Sequence, residues 1–318
     1  MPVTVTEGIE DHPSVLAWMR LDANQSMPRA VEVLRAPRTG KASVVRLVGV
    51  GENGGSVIAK NSMVARTRTE ARVYEITGRR LAREQLRYYG SVESPDQTGW
   101  LFTEDVAGEP FSFSNEVHAA LALEWLADLH TSVPDGDLLP DRGPGYYFSR
   151  LSSGMAGIIE RWDNPDLTPV DRELLEALVR SGERILRSRR EIEALCESLP
   201  RALTHGDFKP KNLRVRNDGR RSILFVFDWE DAGWGFPGVD IWKLNSKAYW
   251  EKVRGHWGNL TLEEAGQLSA MGKLFRCFNA IDWLAPSLGY RWLEQPMARF
   301  RVYLDRITAV IHETPRLQ

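Results

Sequence analysis

The chain has 318 residues, 42% of them hydrophobic and 26% charged, and a net charge of −2. That length allows a large core and more than one lobe, while the near-neutral balance supplies no global basic field for nucleic acid. No apolar run is long enough to span a bilayer, and Cys196 and Cys277, without a CxxC pair, argue against zinc or disulfide frameworks and for a reducing cytoplasm. Both read as small buried hydrophobes. The opening stretch MPVTVTEGIEDHPSV is acidic and has none of the regions expected of a signal peptide.

In chain order, the first third reads as β-rich. AVEVLRA (30–36), SVVRLVGV (43–50) and SVIAK (56–60) are β-branched runs separated by the turn-forming PRTGKA and GENGG. A helix is expected over 68–83, with Thr67 or Thr69 as its N-cap, then two strands, LRYYGSV and GWLFTEDV. Beyond AGEPF (107–111) the pattern turns helical: HAALALEWLADLHTS (118–132), a long stretch over 169–199, and most of the chain from 261 onward. One β island interrupts this around 213–228. The expected architecture is α+β: a β-rich lobe over 1–106 with one inserted helix, a connector at 103–108, and a helical lobe over 107–318.

The island carries the chemistry. NLRVR (212–216), the turn RNDGRR (216–221) and ILFVF (223–227) read as a hairpin in which Asn212 and Asp228 lie opposite each other. An amide oxygen and a carboxylate at that spacing suit one shared hard cation such as Mg²⁺; the alternative is that both merely cap strand ends. Asp207 lies on the loop feeding this hairpin, where a carboxylate can orient an attacking hydroxyl and accept its proton. A His-Gly-Asp-x4-Asn string arises by chance on the order of once in a thousand chains of this length.

HGDFKPKN (205–212) followed by VFDWEDAGWGFPGVD (226–240) resembles the aminoglycoside phosphotransferase and choline kinase family, whose fold is protein-kinase-like with two lobes. ALEWLADLH, and Lys60 followed by Glu70 within EARVY, add to the resemblance. It implies transfer of the γ-phosphate of ATP, or of GTP, to a small-molecule hydroxyl. Asp207 would be the catalytic carboxylate, Asn212 and Asp228 the Mg²⁺ ligands, His205 a brace for the loop and Asp240 its anchor from the following helix. Lys209 stands as in the protein-kinase catalytic loop and would neutralise the transferring phosphoryl group, or else is a solvated loop lysine. Lys60 would meet the nucleotide phosphates, held by Glu70 or by Glu75. Gly40 and Ser43, in RTGKAS, stand where the phosphate-covering loop is expected, and backbone groups near Glu104 and Val106 would read the adenine.

Seven of eleven tryptophans fall within 229–292. Most are expected in the core, although aromatic faces also suit a cationic or sugar ligand. Glu230, Asp231, Trp234, Asp282 and Trp283 are the candidate acceptor contacts. Residues 228–318 hold 11 acidic and 11 basic side chains, which does not favour a strongly polycationic acceptor. An antibiotic, such as an aminoglycoside or macrolide, and a metabolite remain open. The expected partners are a nucleotide and a small molecule, without nucleic acid or membrane, in a monomer or homodimer. A catalytically dead kinase-like module is the competing reading. A protein kinase is disfavoured by Gly206, by DWE in place of DFG, and by the lack of a downstream APE.

Overall fold

The structure, a computed structural model, describes residues 3–22, 25–36, 42–133, 136 and 138–313. The chain opens with β1 (Val3–Val5) and α1 (Pro13–Met19), followed by β2 (Ala30–Arg35), β3 (Ser43–Val48) and β4 (Val57–Met63). Next come α2 (Val64–Arg80), β5 (Tyr88–Glu93), β6 (Thr98–Glu104), β7 (Glu109–Pro110) and α3 (Glu116–Ser132). β8 (Asp141–Arg142), α4 (Pro144–Glu160), α5 (Pro169–Arg187), α6 (Arg189–Glu197) and β9 (Ala202–Thr204) lead to the hairpin β10 (Leu213–Asn217) and β11 (Ser222–Val226). β12 (Gly233–Gly235), α7 (Gly238–Ile241), α8 (Ser246–Val253), α9 (Leu262–Leu284) and α10 (Glu294–Glu313) complete it. Among the described residues, no helix is long and apolar enough to cross a membrane.

Backbone packing divides the chain into two compact units, residues 1–125 with 205–232 and residues 126–204 with 233–318. The proposed lobes, 1–106 and 107–318, divide the chain by role rather than by packing. The two divisions differ because β7 pairs with β10, which joins part of 205–232 to the first unit.

The first unit holds a six-stranded antiparallel sheet in the order β1-β2-β3-β4-β6-β5. Strand alternation sends Val57 and Ala59 of β4 into a core with Trp18 of α1, Val31, Val45, Leu47 and Phe102. Trp18 packs on Tyr89 and Phe102 at ring separations of 5.6 and 5.4 Å. Lys60, in the opposite alternation set with Ile58, is delivered to the other side. α2 begins at the end of β4 with no loop, four residues before the expected start. Thr67 is therefore no cap: it is buried in the first turns and bonds Ser62 and the Gly99 carbonyl. β1 and α1, which begin in the stretch read only as acidic and without signal-peptide regions, are further additions to the expected plan.

The second unit is helical around α9, which opens with a capping box between Thr261 and Glu264. Its buried residues recur on all sides, as suits a helix enclosed by others. Phe275 stacks on Tyr147 at 4.7 Å and Phe278 meets Phe148 at 6.0 Å, joining α9 to α4. The stretch expected as one helix over 169–199 is two, because the chain leaves helical bonding at Ser188. Cys196 and Cys277 are free and buried, and burial pushes both thiols up to about 12.

α7 crosses α9 at two glycines. A Cβ on Gly272 would run into the Gly238 carbonyl, and one on Gly238 into the Leu268 carbonyl. Gly272→Ala is therefore expected to cost about 2–3 kcal/mol through overpacking, read as a lower midpoint in urea unfolding. An unchanged midpoint would mean that the crossing relaxes freely.

Candidate active site

The site in the first unit is built on one ammonium. Lys60 on β4 lies 2.6 Å from Glu70 Oε1, makes an ion pair with Asp228, and lies 3.4 Å from Glu230. Ten residues separate Lys60 from Glu70, and α2, starting at the strand end, turns Glu70 back over it. Glu75, the other candidate, pairs with Arg72 on the exposed helix face at 3.2 Å. Glu70 is 1% exposed and also accepts the Trp229 backbone N–H at 3.3 Å. Burial opposes the charge on Lys60, yet Glu70, Asp228 and Glu230 hold its pKa above the ordinary lysine value. Burial pushes the Glu70 carboxyl up to about 7 against the pull of Lys60. Asp228 moves the other way: burial alone would raise it, but Lys60 draws it down to about 2.

The loop before the hairpin is fixed by its backbone. His205, wholly buried, accepts the Asp207 N–H on Nδ1 at 3.1 Å and donates from Nε2 to the Phe227 carbonyl at 3.1 Å. Those partners set the neutral tautomer and tie Asp207 to the residue before Asp228. Gly206 has φ +75°, and a Cβ there would strike the Asp231 carbonyl, so both the turn and the close approach demand glycine. The Asn212 amide nitrogen donates to the Asp207 carbonyl at 3.0 Å and to its carboxylate at 3.1 Å. That leaves the amide oxygen as the atom able to ligate. Lys209 lies 2.6 Å from Asp207; Lys211 bridges Asp207 at 3.6 Å and Asp228 at 3.9 Å.

The hairpin register differs by one residue from the expected pairing. Leu213 pairs with Val226, and Phe227 donates its N–H to the Asn212 carbonyl, so Asn212 faces Phe227 rather than Asp228. The even loop 218–221 sets this register, and Asp228 then adopts φ +71°, a left-handed conformation uncommon for a residue with a side chain. The pleat ends there, and Asp228 turns to Lys60.

The oxygen donors fit a hard cation. Carboxylate atoms of Glu70, Asp228 and Glu230 all lie within 4.8 Å of one another around Lys60. Mg²⁺ prefers such all-oxygen sets. Arg66, 3.5 Å from Glu230, adds a partly exposed charge.

The remaining expected residues are dispersed. Ser43 is buried at the start of β3, whereas Gly40 lies outside the described residues. The Glu104 carboxylate pairs with Arg216 at 3.1 Å. Glu104 and Asp105 spend their backbone N–H groups on Arg87 and Ser56, while the Val106 N–H has no partner among the described residues. Asp240, in the second unit, is buried 3.3 Å from His130, whose other ring nitrogen lies 2.7 Å from the Tyr249 hydroxyl. Of the acceptor candidates, Glu230 joins the Lys60 cluster and Asp231 covers Gly206. Asp282 pairs with Arg150 at 2.8 Å in the second unit, which also holds Trp234 and the half-exposed Trp283. Sequence reasoning did not single out Lys211; its signal was a second lysine inside KPKN.

An α+β chain with a sheet-borne Lys–Glu pair and a His-Gly-Asp loop facing an Asp-bearing hairpin has the architecture of the protein-kinase-like phosphotransferases. The profile of the APH phosphotransferase enzyme family matches residues 41–273, and the chain belongs to that family. Its fold is similar to that of the GDP and kanamycin complex of APH(2")-IIia, at 15% identity over 92% of this chain and 97% of that one, with a TM-score of 0.60. It is also similar to choline kinase from Cryptosporidium parvum Iowa II, at 13% identity over 89% and 90%, TM-score 0.60. Spectinomycin phosphotransferase APH(9)-Ia, in complex with ADP and spectinomycin, is similar at 10% identity over 88% and 93%, TM-score 0.58. No curated protein sequence matches the chain.

The opposed shifts of Glu70 and Asp228 give a signed pH test. A carboxyl raised in the folded state adds stability as pH falls from about 7 toward its ordinary 4.5. Asp228, depressed, adds stability above 3.8 that is lost only as pH falls toward about 2. Lys60→Met is expected to cost about 3–5 kcal/mol at pH 8, by stranding buried carboxylates. The deficit should shrink at pH 5 by at least about 1.4 kcal/mol, the equivalent of one pKa unit. Urea unfolding of both proteins at the two pH values measures it. A deficit as large at pH 5 would remove Glu70 and Asp228 as its origin.

Proposed function

We propose that the protein transfers the γ-phosphate of Mg-ATP, or of Mg-GTP, to a hydroxyl of a small molecule, an antibiotic such as an aminoglycoside or macrolide or else a metabolite, in the cytoplasm. The observation that carries this reading is the convergence of Asp207, Asn212 and Asp228 near a Lys60–Glu70 pair. Asp207 receives the acceptor hydroxyl, orients its oxygen toward the γ-phosphorus and takes its proton as the new O–P bond forms and the bond to the nucleoside diphosphate breaks. His205 and Gly206 hold the Asp207 backbone still while this happens. Lys60, kept protonated by its carboxylates, is a fixed cation for the nucleotide phosphates. Asn212 and Asp228 would hold Mg²⁺, which when bound supplies charge neutralisation at those phosphates. Lys209, against Asp207, adds positive charge where the phosphoryl group passes. The Val106 N–H suits a base nitrogen of the nucleotide. Positioning and charge supply most of the rate in such a reaction.

The test is nucleoside diphosphate release from Mg-ATP and Mg-GTP across aminoglycosides, macrolides, choline, homoserine and simple sugars. One acceptor class is expected to stimulate release, and Asp207→Asn to lower it about 10²–10⁴-fold. Acceptor-dependent release that survives Asp207→Asn would sink the proposed role of that carboxylate. Nucleotide binding with no release from any acceptor would favour the dead-kinase reading. Lys209→Ala is expected to lower turnover with little change in nucleotide affinity; unchanged turnover would make it a solvated loop lysine.

A further inference from the structure

Lys211 lies between the two carboxylates to which the proposed transfer gives different tasks. Its Nζ is 3.6 Å from Asp207 Oδ2 and 3.9 Å from Asp228 Oδ2. Asp228 Oδ1 is taken by Lys60, so Oδ2 is the oxygen that Asp228 offers to Lys211. A single turn of 3₁₀ helix over Pro210–Asn212 sets this up. It buries Asn212, whose amide nitrogen meets Asp207, and leaves the neighbouring Lys211 side chain 59% exposed. The two lysines on Asp228 therefore differ in kind. Lys60 is enclosed and held at 2.6 Å by Glu70. Lys211 reaches both partners only beyond ordinary hydrogen-bond length, from a flexible stem in solvent. Lys60 is a fixed cation and Lys211 a displaceable one.

A divalent cation held by Asp228 and Asn212 would use the carboxylate oxygen that Lys211 faces, and the two positive charges would repel. An ammonium about 4 Å from a dication weakens its binding by about fivefold after screening by salt at about 0.1 M. A nucleotide reverses the sign. Its phosphates carry more negative charge than the metal carries positive, so the same ammonium attracts the complex. We propose that Lys211 is a charge gate that biases the site against a free divalent cation and toward the metal–nucleotide complex. The gate rests on the phosphotransferase reading and deepens it, by making metal entry depend on nucleotide.

The experiment titrates the full chain with Mn²⁺, a hard oxygen-seeking probe, followed by the electron paramagnetic resonance of the free ion. Calorimetry then measures the Mn²⁺ complexes of the β,γ-imido analogues of ATP and GTP. Lys211→Met is expected to bind free Mn²⁺ about fivefold more tightly, and the better of the two complexes about fivefold more weakly. Lys211→Arg keeps the charge and should match the unsubstituted protein in both. Lys247→Met, which removes an exposed cation of α8, should match it too. A merely structural lysine would not give opposite shifts from one substitution. Shifts of the same sign, no shift, or no binding of free Mn²⁺ by Lys211→Met would overturn the proposal. Asp228→Asn separates the gate from the site beneath it. Free-Mn²⁺ binding that survives Asp228→Asn would remove the metal site from the proposed function, and the gate with it. Binding that is lost in Asp228→Asn but indifferent to Lys211 would overturn the gate alone. Failure of both complexes to bind would overturn the nucleotide reading and the gate together.

Discussion

A single buried ammonium organises the candidate site. Lys60 must hold carboxylates that lie 10 and 168 residues away in sequence, and each imposes a condition on the backbone. Glu70 reaches it because α2 starts at the end of β4 with no intervening loop, which sets the helix rotation. Asp228 reaches it because the strand pleat ends in a left-handed residue. A buried lysine without partners would lose its proton; here the carboxylates around it keep it charged. The same attraction separates the carboxylates electrically, with Glu70 pushed up to about 7 and Asp228 drawn down to about 2. Glu70 is enclosed and deep, so burial dominates it. Asp228 shares Lys60 and lies near Lys211, so attraction dominates.

The loop bearing Asp207 depends on backbone bonding more than on its own side chains. His205 joins the Asp207 N–H to the Phe227 carbonyl, and Phe227 in turn donates to Asn212. Three residues that would act together are therefore referenced to one strand end, and an error in one would be shared by all. This is how a loop acquires the precision of the sheet it adjoins. Gly206 makes the arrangement compact by letting the Asp231 carbonyl approach where a Cβ would stand. Trp229, between His205 and Trp125 at ring separations of 4.6 and 5.7 Å, fills the space behind the loop with aromatic surface.

The second unit rests on different physics. α9 is enclosed on all sides, and its glycine crossing with α7 fixes where Asp240 and Trp242 fall. Asp240 is buried 3.3 Å from His130, whose other ring nitrogen meets the Tyr249 hydroxyl. Two residues later in the chain, Trp242 has Lys243, Arg276 and Arg306 over its ring at 4.8, 4.9 and 5.2 Å.

The fold class was legible because its signals are local. Alternation marks β2, β3 and β4, helical spacing marks α3 and α9, and the His-Gly-Asp-x4-Asn string marks the loop. What was not legible depends on partners distant in the chain. α1 is short and earns its helix by seating Trp18 on the sheet, which no window around residues 13–19 reveals. Thr67 looks like a cap and is instead a buried bond to Gly99, because the strand runs straight into the helix. The hairpin register could not be read from its ends, since Asn212 and Asp228 both follow polar-loop statistics and only the length of the turn distinguishes pairing with Phe227 from pairing with Asp228. Charge counts failed for a related reason. Eleven of each sign in residues 228–318 describe a neutral stretch, whereas helix packing gathers Lys243, Arg276 and Arg306 onto one indole. Local pattern specifies the elements, but which side chains share a point in space is decided by the crossing of helices and the end of a pleat, and the candidate site depends on that.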